Sequence, residues 1–130
     1  MKKVLKWLLL LPLVYLALIP VVILLDATMP YRLQELAHVD IQSNEFDFGG
    51  LQEHQWTVIG ILNGPIPDSW KQTELSEDSE HYYHFTLFQQ KQPHIKPEDT
   101  QGFILPEHSS LHAVILLHTP SRQVYIDMWQ

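Results

Sequence analysis

From Trp7 to Leu25 the chain runs for 19 residues without a charge, and no other feature of the sequence restricts its fold as strongly. As a helix at 1.5 Å per residue the run spans about 28 Å, close to the ~30 Å hydrocarbon core of a bilayer. The apolar stretch of a cleavable signal peptide is shorter, about 7–15 residues. Pro12 and Pro20 fall inside the run; they would interrupt a helix in water, but membrane helices accommodate proline. Trp7 suits a headgroup boundary. At the far end, Leu25-Asp26-Ala27 offers one small residue for cleavage but a poor match to the small-x-small pattern. The reading is an uncleaved signal-anchor over residues 1–26 and an exported globular domain over 27–130. A cleaved leader is the alternative.

Charge orients the anchor. Lys2, Lys3 and Lys6 precede the run and no acidic residue does, which predicts a cytoplasmic N-terminus. The expected location is the inner (cytoplasmic) membrane, spanned once by residues 7–25. The domain then faces the periplasm or the exterior of a bacterial envelope. A Lys-rich start argues against an Arg- and Ser-rich mitochondrial presequence. From Asp26 onward, 15 carboxylates stand against five basic residues (Arg32, Lys71, Lys91, Lys96, Arg122), a net −10 over 105 residues. Such a surface has little with which to neutralise a phosphate backbone, so nucleic acid is not an expected partner. The chain has no cysteine, which removes lipidated-cysteine anchors, disulfides, thiolate zinc sites and thiol catalysis.

The exported part reads as α+β, mostly β: an antiparallel sheet of about five strands with a short juxtamembrane helix. Leu33, Leu36 and Ala37 have helical spacing in "PYRLQELAHV" (30–39). "VDIQSNEFDF" alternates and closes on Gly49-Gly50. "WTVIGIL" (56–62) reads as a central strand in which Gly60 marks a bulge or a close approach. Asp68 is a candidate cap for a helical turn near Trp70, itself placed in a polar loop. "YYHFTLF" (82–88) reads as a strand, residues 89–102 as a long loop, and "FIL" as a further short strand. The clearest unit is "LHAVILLHTPSRQVYIDMW" (111–129), with proline where a type I turn wants it. A Pro120-Ser121 loop sets Leu117 opposite Val124, Ile115 opposite Ile126 and Ala113 opposite Met128, an apolar face that must be core.

The other face of that hairpin mixes His112, Leu116, Tyr125, Asp127 and Trp129, the composition of a partner surface with a polar rim. In this register His112 faces Trp129, with Asp127 diagonally across. Eight histidines raise a second possibility. In "SEDSEHYYH", Glu77, Glu80, His81 and His84 are a candidate set for zinc, nickel or copper. Residues three apart share a helix face, however, and point to opposite sides of a strand. His108 and His112 flank Ser109-Ser110, but adjacency is not a catalytic triad. There is no nucleophile elbow, S-x-x-K, His-Glu-x-x-His, P-loop or dinucleotide fingerprint. No enzyme activity and no cofactor are expected. The preferred reading is a membrane-anchored module that binds another envelope protein, as accessory subunit, inhibitor or immunity-type protein. A periplasmic metal-binding or metal-sensing protein is the alternative.

Overall fold

The computed structural model describes residues 2–48, 54–105 and 111–130; the side chains of Lys2, Phe48 and Glu80 lie outside the description. Lys2–Ala27 is one helix, α1, that carries Pro12 and Pro20 without a break. Its apolar side chains are exposed all round, whereas an all-apolar helix needs an apolar medium. By length and composition it can cross a membrane.

Two short 3-10 turns, Met29–Arg32 and Gln34–Leu36, follow it in place of the expected juxtamembrane helix. Then come β1 (Val39–Phe48), β2 (His54–Leu62), β3 (Lys71–Thr73), α2 (Glu80–Lys91), β4 (Thr100–Ile104), β5 (His112–His118) and β6 (Gln123–Trp129). The six strands form one antiparallel sheet in the order β1-β2-β6-β5-β4-β3. With α2 on one face the domain is α+β, as the patterning predicts.

One face carries the main core: Trp56, Val58, Ile115, Leu117, Val124, Ile126 and Met128, with Trp70 and Phe103 beside them. The hairpin register is the predicted one, Leu117 to Val124, Ile115 to Ile126 and Ala113 to Met128. The opposite face is apolar in its middle, where Phe85 and Phe88 of α2 pack on Ile59, Val114, Leu116 and Tyr125. Gly60 combines both roles expected of it. The β1 register shifts between Ile41 and Ser43, directly opposite. A Cβ at Gly60 would lie 2.5 Å from the Asp40 carbonyl oxygen and 2.8 Å from Val39 Cγ1.

Three expectations are corrected. Residues 82–88 are helical, because aromatics at 85 and 88 face one way on a helix and together bury onto the sheet. Trp70 is buried, its indole N–H donating to the Glu35 carbonyl at 3.0 Å, and Asp68 starts no helix before β3. The supposed loop 89–102 holds the end of α2, a 3-10 turn at Pro97–Asp99 and the start of β4. Gly49-Gly50 and the His108-Ser109-Ser110 stretch lie outside the described residues.

Candidate functional site

The register of the sheet lays out the α2 face row by row. One row runs Leu116, Tyr125, Ile59 and lies under α2. The next runs Val114, Asp127, Thr57, Glu45. The last runs His112, Trp129, Gln55, Asp47 across β5, β6, β2 and β1. The face therefore grades from apolar to polar toward the end where α2 begins. There it leaves a hollow of about 610 Å³ bounded by Asp47, Gln55, Tyr83, His84, Asp127 and Trp129, among others.

Asp127 is the fixed point of this hollow. Its carboxylate is buried and accepts from the Gln55 amide at 2.9 Å, while its other oxygen meets His84 Nδ1 at 2.9 Å. A carboxylate oxygen accepts a hydrogen bond from an Nδ1–H, and in that neutral tautomer Nε2 is left as an acceptor. The imidazoles of His84 and His112 each lie nearly parallel to the Trp129 ring, with centroids 5.7 Å away. That separation at parallel planes is an offset stack, which leaves much of the indole face uncovered. Deeper in, burial pushes the Tyr125 phenol up to about 12, and the Asp127 charge adds to the effect.

The five residues read from the hairpin thus divide. Leu116, Tyr125 and Asp127 are buried beneath and beside α2, whereas His112 and Trp129 remain exposed at the rim. His112 does pair with Trp129, but the imidazole that meets Asp127 is His84. Among the metal candidates, His81 and His84 share α2 and Glu77 is exposed in the preceding loop. His84 is engaged by Asp127, and the Glu80 side chain is outside the description. Among the described residues, no group of three His, Asp or Glu is arranged to hold a metal ion. Gln55 and Asp47 carried no signal in sequence, since only the β1–β2–β6 register brings them to Asp127 and Trp129.

On the reverse face, at the same end of the sheet, the last turn of α1 is tied to the domain. The Trp56 indole N–H donates to the Asp26 carbonyl at 2.6 Å and the Asn44 amide to the Ala27 carbonyl at 2.7 Å. Arg32 donates to the Leu25 carbonyl and the Thr28 hydroxyl to that of Leu24. His54 Nδ1 lies 3.4 Å from the Asp26 carboxylate. Carbonyls that any helix end leaves without partners are here taken up by the fold.

Comparison with known proteins finds no matching family model, no matching curated protein and no matching solved structure.

Proposed function

We propose that the chain is a single-pass envelope protein whose small acidic domain binds another protein at the outer surface of the inner membrane. What supports the reading is the joint between anchor and sheet. Four side chains from outside α1 or just beyond it (Trp56, Asn44, Arg32 and Thr28) donate hydrogen bonds to the helix's terminal carbonyls. A leader destined for removal has no need of such caps. Cleavage after Ala27 would also require unwinding residues that are helical here. With the anchor retained and its N-terminal lysines inside, the domain stands outside in one orientation and presents His112 and Trp129 at an open rim. Tryptophan is enriched among the side chains that dominate the energy of protein interfaces.

The test is co-purification of the full-length chain in mild detergent. Trp129→Ala is expected to leave the fold intact and to weaken partner capture by about 2 kcal/mol or more. His112→Ala, which removes one neighbour of the indole, should weaken it less. Recovery of the same partner by both folded variants would remove this rim as the site. Stoichiometric zinc uptake with no co-purifying protein would instead favour histidine-based metal binding.

A further inference from the structure

We infer that the hollow at the start of α2 is a binding site for an organic ammonium group, presented at the level of the lipid headgroups. Its described lining contains two carboxylates, Asp47 and Asp127, and neither lysine nor arginine. The lysine of α2 is already engaged, since Lys91 Nζ sits 3.1 Å from Glu45, two residues before Asp47 on β1. Asp47 itself makes no ion pair among the described residues and is exposed. The hollow is also lined by His54 and His84, of which His84 meets Asp127; Asp47 is thus the carboxylate with no lysine or arginine beside it in the described lining, next to two aromatic rings with open surface. Tyr83 is 65% exposed and Trp129 37%. A carboxylate beside aromatic faces is the pairing that recognises ammonium groups.

The hydrogen-bonding inventory agrees. Gln55 spends an amide N–H on Asp127, which leaves its amide oxygen as an acceptor, and His84 donates through Nδ1, which leaves Nε2. Together with Asp47 these give acceptors for the three N–H groups of a primary ammonium. A volume of about 610 Å³ is ample for a headgroup-sized molecule.

Position suggests the source. Successive residues of a strand point to opposite faces. On β2, Gln55 borders the hollow while His54 and Trp56 reach the Asp26 end of α1. His54 also lines the hollow, so a single residue links the hollow to Asp26 at the end of the apolar span. An ammonium group there comes either from a zwitterionic phospholipid headgroup or from a free amine. The inference rests on the retained anchor, which intact-mass analysis tests separately: a chain beginning at Thr28 would fail that reading and leave the free-amine arm standing.

The experiment uses the full-length chain in detergent micelles, titrated with ethanolamine hydrochloride and with tetramethylammonium chloride, sodium chloride serving as control. The Trp129 indole N–H resonance is the readout. A saturable shift with the amines and none with sodium chloride is expected. Asp47→Asn should weaken it about threefold or more and Tyr83→Leu about fivefold, the size of one exposed charge or cation–π contact. Both residues are exposed, so both variants should fold. Nanodiscs then separate the sources. A resonance already shifted in phosphatidylethanolamine but not in phosphatidylglycerol, and unresponsive to added ethanolamine, identifies the headgroup. Equal resonances in both lipids with ethanolamine still titrating identify a free amine. No saturable response to any amine, an equal response in Asp47→Asn, or a response confined to a lysine-bearing peptide overturns the proposal.

Discussion

Beneath α2 the Tyr125 phenol is buried beside Asp127; burial first, and then that neighbouring charge, push its pKa up to about 12. The unfolded chain releases this proton near the ordinary value of 10.0. Between those two pH values the folded state holds a proton that the unfolded state has lost, so stability falls as pH rises. The contribution is fully present below pH 10 and amounts to on the order of 2–3 kcal/mol. Denaturant unfolding measured across this window should show a decline that Tyr125→Phe largely lacks. Tyr125→Ala, by contrast, empties a buried site and is expected to cost about 3–5 kcal/mol at any pH. Tyr125 and Trp129 stand four residues apart on the same face of β6, with Asp127 between them, and nothing local treats the two aromatics differently. Their fates diverge because Phe88 stacks on Tyr125 and buries it, while Trp129 meets α2 only through the offset ring of His84 and stays partly exposed. Burial set by a distant helix has no local signature.

At the scale of elements, legibility follows the range of the interaction. The β5–β6 hairpin was readable to the residue because a proline turn and an apolar face that matches across it are local and agree with each other. Ile115→Ala and Ile126→Ala should each cost about 2–5 kcal/mol, since both side chains are fully buried. As cross-strand partners they should be non-additive in the double variant. Losses below roughly 1 kcal/mol each, fully additive, would mean the pair does not share one core. Gly60→Ala forces a Cβ into the Asp40 backbone and is expected to cost about 1–3 kcal/mol, measured in the same unfolding assay. The helix α2 was not readable because its aromatic and β-prone residues favour a strand by propensity. Its Phe85–Phe88 spacing and the Ser79 before it were the available helical cues. Even Ser79 makes no capping bond, its hydroxyl turning back to the Ser76 carbonyl at 2.7 Å. Tertiary packing on Ile59, Leu116 and Tyr125 decides the outcome.

For the molecule as a whole, the long apolar helix was legible from one uncharged run, but its docking was not, because Trp56 and Asn44 approach it from strands 17 to 30 residues away. That docking predicts a stiff connection. Spin labels placed on the last turn of α1 and on β2 should give one narrow distance distribution. Removing both donors with Trp56→Phe and Asn44→Ala should broaden it; because Trp56 is also a core side chain, the unfolding midpoint is expected to fall as well. A broad distribution in the unaltered chain would contradict a capped joint. Strand order carries a different kind of consequence. β6 follows the other described strands in sequence, yet it lies between β2 and β5, so within the described sheet the β1–β2 hairpin and the β5–β4–β3 group are joined through it. Synthesis delivers the chain from its N-terminus. Trp56, Val58 and Leu62 must therefore wait, apolar face uncovered, until the final segment arrives. The time spent in that half-built condition is set by how fast the chain is delivered, so a helper that shields nascent β1–β2 should raise the yield of folded protein.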